Sequence, residues 1–287
     1  MTSLEPTECF HGKNTLHLGD NLEIMRDMPS GIVDLCYFDP PFFADHGNQE
    51  NCNIHDSMSS TGAVGIDAYV EFLEERLEQV QRLLAPGGSL YCHLTKKTTH
   101  YVKVILDELL GRESYKNDIT FVSNRRENNS GPRIGFSKRS ESILFYAAVK
   151  NKKQGEKAIF NIQRKERTPE YLRKIYCCDD GDGLGPYARE YPKHGKKRRY
   201  LSKATSRKVP DFWDDIRMPN SSEKKGWPDQ KPEALLERII LSSSNPGDLV
   251  FDPFVGCGTT IRVAKRLKRD WVAIDNSPEA IALASKG

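Results

Sequence analysis

The sequence lacks every cysteine pattern that would make a metal site or a disulfide framework. Its 7 cysteines are scattered, the only close pair is the adjacent Cys177-Cys178, and no CxxC occurs. No zinc or other metal site is therefore expected, and the odd count argues against paired disulfides and for a reducing, cytoplasmic setting. No apolar run approaches the roughly 20 residues that cross a bilayer. The opening residues, Met1-Thr2-Ser3-Leu4-Glu5-Pro6, lack the basic and apolar regions of a signal peptide, so no membrane partner is expected. Two nucleotide-binding signatures are also missing. There is no GK[ST], and Ile261 stands where GxGxxG needs its third glycine. Both absences weigh against a triphosphate or a dinucleotide as ligand.

What is present is length and charge. A chain of 287 residues, 37% hydrophobic and 29% charged, can bury one large α/β core with a smaller insert. The net charge of +3 hides an asymmetry. Between Lys150 and Pro210 there are 18 Lys/Arg against 7 Asp/Glu, a local +11, which leaves −8 for the rest. A basic segment beside a mildly acidic body suggests a polyanionic partner.

Apolar runs rich in β-formers predict seven strands: Thr15 to Leu18, Val33 to Phe38, Ser89 to Leu94, Asp118 to Ser123, Ser142 to Val149, Leu249 to Asp252 and Trp271 to Ile274. Helical periodicity lies between them. The strongest runs from Asp67 to Leu84, with Tyr69, Phe72, Leu73, Leu77, Val80 and Leu84 on one face and Pro86-Gly87-Gly88 as its stop. Strands alternating with helices imply an α/β fold with a doubly wound, mostly parallel sheet. The expected organisation is a first half over 1–149, a basic insert over 150–212 and a second half over 213–287. Residues 43–65 read as a long polar loop.

Two strand ends stand out. Val33-Asp34-Leu35-Cys36-Tyr37-Phe38 runs into Asp39-Pro40-Pro41-Phe42. The prolines must end the strand, so Asp39 is delivered to the sheet edge on rigid backbone. An exocyclic amino group on a nucleobase is a poor nucleophile, because its lone pair is delocalised. Asp39 and the Pro40 carbonyl can each accept one of its N–H bonds, and Phe42 offers a face on which to stack the base. In duplex DNA that base must first be flipped out.

The second strand end is Asp252-Pro253-Phe254-Val255-Gly256-Cys257-Gly258-Thr259-Thr260, with Asp275 ending the next strand 23 positions later. Glycines let backbone approach a ligand, and an acid at that spacing suits ribose hydroxyls. An acidic strand end is a poor neighbour for phosphates and a good one for a cation, so a nucleoside with a positive centre, S-adenosylmethionine, fits best.

On these motifs the chain resembles the β class of amino-group DNA methyltransferases, in the S-adenosylmethionine-dependent, Rossmann-like superfamily. The Asp-Pro-Pro-Phe motif precedes the Asp-Pro-Phe-x-Gly-x-Gly-Thr-Thr motif, with a basic insert between. Gly19-Asp20-Asn21-Leu22, Leu83 to Tyr91, and Gln230 to Arg238 match three further family segments in order. The resemblance implies a seven-strand Rossmann-like sheet with an inserted target-recognition region. It makes Asp39, Pro40, Pro41 and Phe42 catalytic. It assigns the cofactor to Asp20, Asn21, Asp39, Lys231, Asp252, Phe254, Gly256, Cys257, Gly258, Thr259, Thr260, Asp275 and Asn276. The implied partner is double-stranded DNA, held by Arg125, Arg126, Arg139, Lys196, Lys197, Arg198, Arg199, Lys203, Arg207 and Lys208. A second copy of the chain and a cognate restriction enzyme are further partners it brings to mind.

Two positions depart from the commonest pattern. Phe42 stands where tyrosine is usual, and Asn276 follows Asp275. By the same resemblance, an aspartate rather than a serine at position 39 leans towards adenine N6. Cytosine N4, an RNA substrate and a non-catalytic regulatory module are the alternatives. His46, His55, Trp213 and Trp227 read as loop or core residues rather than catalytic ones.

Overall fold

The computed structural model describes residues 12–43, 65–123, 136, 138–148, 157–178, 181, 183, 185–190, 197–201 and 205–286, with only the strand course for 187–190 and 197–200. Arg125, Arg126, Lys196 and Lys203 lie outside the described residues, as do His46, His55 and most of the polar loop. The chain divides into two compact units, Met1–Asn161 with Asp211–Gly287, and Ile162–Pro210.

The first unit opens with β1 (Thr15–Leu18), α1 (Asn21–Asp27), β2 (Val33–Phe38), α2 (Ile66–Leu83), β3 (Leu84–Leu94), α3 (Thr99–Leu110), β4 (Tyr115–Phe121) and β5 (Glu141–Ala147). The second unit holds β6 (Arg164–Glu166), α4 (Pro169–Ile175), β7 (Tyr187–Glu190), β8 (Lys197–Tyr200) and β9 (Ser206–Lys208). The first then resumes with β10 (Phe212–Trp213), α5 (Glu233–Ser243), β11 (Leu249–Asp252), α6 (Thr259–Arg266), β12 (Asp270–Asp275) and α7 (Pro278–Ala284).

The sheet order is β1-β12-β11-β2-β3-β5-β4-β10. All seven expected strands are in it. The eighth, β10, is a two-residue edge strand beside β4 that places Trp213 in the core, with the Arg238 guanidinium 5.0 Å above its ring. Every pairing is parallel except those of β5, which runs against both β3 and β4. Helices α1, α2 and α3 pack together in one layer, and α5 packs with α6 in another. This covers the central strands on both faces, which is why β2 is apolar along nearly its whole length. Its one acid, Asp34, accepts the Leu249 amide at 2.8 Å and fixes the register with β11.

One local expectation is corrected. Pro86-Gly87-Gly88 does not stop α2, which ends at Leu83; the three residues sit inside β3. Pairing with β2 jumps from Val33↔Leu84 to Leu35↔Ser89, so the segment is a bulge. Gly88 is required there, since a Cβ would lie 2.8 Å from the Val33 carbonyl oxygen. A bulge in a strand and a turn after a helix demand the same residues, and the sequence does not separate them.

Among the described residues no helix is long and apolar enough to cross a membrane.

Candidate active site

The topology gathers four acids at one sheet edge. Parallel pairing aligns Val250 with Leu35 and Phe251 with Cys36, so Asp252 and Asp39 emerge from neighbouring strands although 213 positions separate them. Pairing of Leu18 with Asp275 and of Asp252 with Ala273 adds Asp275 and Asp20 to the row. Carboxyl ends of strands in an open α/β sheet are where ligands bind.

The Asp252 and Asp275 end is built from backbone. Gly256 (φ +52°) and Gly258 (φ +82°) both turn through the left-handed region. A Cβ on Gly258 would meet Ala284 Cα at 2.8 Å, and one on Gly256 would meet the Trp227 indole nitrogen at the same distance. Asp275 accepts the Gly256 amide at 2.8 Å and the Ser277 amide at 2.9 Å. Burial raises its carboxyl, and these amides oppose the rise. Asp252 is fully enclosed, accepting Thr260 Oγ1 at 2.5 Å and the Phe254 amide at 3.0 Å. Burial, with the charges of Asp39 and Asp275, pushes its carboxyl up to about 7 against those two hydrogen bonds.

Of the other residues assigned to the cofactor, Thr259 and Thr260 are buried, as is Cys257, whose thiol lies 3.7 Å from the Thr259 hydroxyl. Phe254 packs edge-on against Phe38 at 5.1 Å. Asn276 is exposed.

Asp20 and Asn21 open α1, where Asp20 caps the helix by accepting the Leu22 amide at 2.7 Å. Arg76 of α2 holds both: its Nη2 donates to Asp20 at 3.0 and 3.1 Å and its Nε to Asn21 at 2.6 Å. Asn21 in turn donates to the Pro253 carbonyl at 2.8 Å. Sequence reasoning missed Arg76. The available signal was an arginine on the apolar face of α2, one turn beyond Phe72, whose ring it covers at 3.7 Å. The same helix reaches the other motif, because Tyr69 Oη donates to the Pro41 carbonyl at 3.0 Å.

Around Asp39 the structure assembles a group that the sequence did not announce. Because β5 is antiparallel, its first residue, Glu141, arrives at the edge where β3 ends. Glu141 and His93 Nε2 are 2.6 Å apart, and His93 Nδ1 is 2.8 Å from the Tyr37 hydroxyl. Burial would raise the Glu141 carboxyl, yet His93, Lys231 and Ser123 together hold it down at about 2. Glu141 is therefore an acceptor only. The proton between the two sits on His93 Nε2, which donates to Glu141. The Tyr37 hydroxyl lies 3.4 Å from Asp39 Oδ2, the longer of its two contacts.

Lys231 was expected with the cofactor residues. Its ammonium lies beside Asp39, a member of the same expected set, 3.4 Å from Oδ1, 3.8 Å from Glu141 and 4.3 Å above the centre of the Phe42 ring. The Asp39 contact pairs charges without the alignment of a hydrogen bond. Oδ1 is thus buried with no hydrogen-bond donor among the described residues. A buried carboxylate oxygen left open costs stability unless a ligand completes it.

Of the basic residues, Arg139 is exposed. Arg207 and Lys208 are exposed on β9, and Lys197, Arg198 and Arg199 lie on β8.

Comparison with known proteins identifies the family. The family model for N6/N4 methyltransferases, described as "DNA methylase", matches residues 33–286. The type II methyltransferase M.EcaI of Enterobacter cloacae is 28% identical over 92% of this chain and 67% of its own. The DNA adenine methyltransferase YhdJ of Escherichia coli is 27% identical over 98% of this chain and 85% of its own. Among solved structures, the cytosine-N4-specific PvuII DNA methyltransferase shares the fold with a TM-score of 0.58 at 17% identity, covering 96% of this chain and 86% of its own. An acidic sheet edge, two left-handed glycines and an open Asp-Pro-Pro carboxylate are thus held on a scaffold whose sequence, from Val33 almost to the end, is that of one family: the chain belongs to the DNA methylases.

Proposed function

We propose that the protein methylates N6 of adenine in a base flipped out of double-stranded DNA, with S-adenosylmethionine as methyl donor. The observation that carries this reading is the buried Oδ1 of Asp39, which has no hydrogen-bond donor among the described residues and shares the Lys231 ammonium with the Phe42 ring. An amino N–H completes that oxygen while the base stacks on Phe42. The Pro40 carbonyl accepts the second N–H. Held this way, the amino nitrogen points its lone pair along the sheet edge towards Asp252, and alignment supplies much of the rate.

The row of acids suits a cofactor that is cationic at sulfur. When bound, S-adenosylmethionine supplies an electrophilic methyl group. Asp275 orients ribose hydroxyls, the backbone at Gly256 and Gly258 allows close approach, and Asp20, braced by Arg76, meets the adenine side. Asp275→Ala is expected to raise the Kd for S-adenosylmethionine by about 10- to 100-fold, the range for losing a charged hydrogen-bond acceptor. Titration calorimetry giving an unchanged Kd would remove Asp275 from the cofactor set.

DNA contacts fall to the second unit, part of the 150–212 insert read as a target-recognition region. Its antiparallel pair of β6 and β9 sets like charges in register, Arg164 across from Lys208. Such pairs cost stability unless an anion lies between them. Phosphate contacts of this kind give affinity rather than sequence choice. A second copy of the chain, a cognate restriction enzyme and a cytoplasmic setting belong to the same reading.

The test is to incubate the purified protein with unmethylated genomic DNA and labelled S-adenosylmethionine and then identify the modified nucleoside. N6-methyladenine is expected. N4-methylcytosine would keep the mechanism and change the base, and label in RNA alone would change the substrate.

A further inference from the structure

Lys231 is buried, and its ammonium makes the two contacts that the proposed function assigns to the target base. It pairs with Asp39 Oδ1 at 3.4 Å and lies over the Phe42 ring at 4.3 Å. A base cannot put its amino group on Oδ1 and its ring on Phe42 while the ammonium stays there. An adjacent cation would also oppose the positive charge that grows on the amino nitrogen as it accepts a methyl group. The ammonium must move, and moving it away from every carboxylate would leave a buried charge unpaired.

Glu141 offers the alternative pairing. Its Oε2 is already 3.8 Å from Lys231 Nζ, so a turn of the terminal side-chain bonds is enough. Glu141 itself is anchored by His93 at 2.6 Å, and His93 is backed by Tyr37 at 2.8 Å. Neither of these is free to follow the lysine, whose four-carbon stem is the flexible part. We infer that Lys231 occupies the base-amino subsite before DNA arrives, and that Glu141 is the positioning residue that takes over its ammonium when the base enters. The inference rests on the reading of Asp39 and Phe42 as the base site.

The effect of Glu141 should then depend on Lys231. With genomic DNA and saturating labelled S-adenosylmethionine, Glu141→Gln is expected to lower kcat/KM for DNA by about 10- to 100-fold, the range for losing a charged partner. The Kd for S-adenosylmethionine, measured by calorimetry, should stay within about threefold and show that the near-isosteric variant is folded. Lys231→Met should remain measurably active. In that background Glu141→Gln should cost less than about threefold, because no ammonium is left to receive. A purely structural role for Glu141 predicts equal losses in both backgrounds, and that result would overturn the handover. So would complete inactivity of Lys231→Met at saturating cofactor. Full activity of Asp39→Ala, or no methylation by the unaltered protein, would overturn the reading of the site itself.

Discussion

Asp39→Ala is expected to cut kcat for methylation of genomic DNA by about 10³-fold or more, the upper range for removing one preorganised electrostatic contact. The Kd for S-adenosylmethionine should remain within about threefold. The two readouts separate because the groups are separate. Asp275 accepts the Gly256 and Ser277 amides, Asp252 accepts Thr260 and Phe254, and none of these bonds involves Asp39. The backbone course of the motif should also survive, since it is set by Pro40 and Pro41 and by Tyr69 donating to the Pro41 carbonyl. What alanine removes is a carboxylate oxygen that is buried with no hydrogen-bond donor among the described residues. Residual activity within about tenfold of the unaltered protein would show that the amino group is held elsewhere. Loss of cofactor binding in parallel would show that Asp39 supports the edge rather than the substrate.

The second large effect is a pH dependence of stability carried by Asp252. Its carboxyl is raised from the ordinary 3.8 to about 7 by burial, with Asp39 and Asp275 adding repulsion. Below pH 4 the group is protonated in both folded and unfolded chains and costs nothing. Between pH 4 and 7 the unfolded chain releases the proton and the folded chain retains it, so stability falls as pH rises. Above pH 7 both states are ionised and the penalty is complete, on the order of 4 kcal/mol for a shift of about three units. Asp252→Asn carries no titrating proton, and its amide can still accept from Phe254 and donate to Thr260. Urea unfolding at intervals from pH 4.5 to 7.5 should therefore show the variant gaining on the unaltered protein by up to that amount. A difference that stays constant across the range would refute the assignment.

The four acids of the sheet edge were legible in the sequence because each sits at a strand end marked by turn residues. Asp39 precedes two prolines, Asp252 precedes a proline and two glycines, Asp275 precedes Ser277-Pro278, and Asp20 opens a short amphipathic helix. Turn chemistry is local, so local sequence reports it. The seven strands were legible for a related reason, since strands covered on both faces are continuous apolar runs.

Other features were ambiguous at the same local level. The Pro86-Gly87-Gly88 bulge reads equally as a helix stop, and the two-residue strand at Phe212–Trp213 is too short to show a period.

Tertiary structure alone decided who stands beside Asp39. Glu141 begins β5 and His93 lies near the end of β3, and they meet only because β5 runs antiparallel to its neighbours. Nothing in either strand's own pattern announces that direction. Lys231 matched a cofactor segment by sequence, and only the fold shows that its ammonium lies over Phe42. Arg76 gains its meaning only from the fold, which sets it against Asp20 and Asn21 at the start of α1. The sequence determined which strand ends carry acids, because strand ends are written in consecutive residues. The pairing order and direction of the strands determined which charges meet there, because that depends on contacts between residues far apart in the chain.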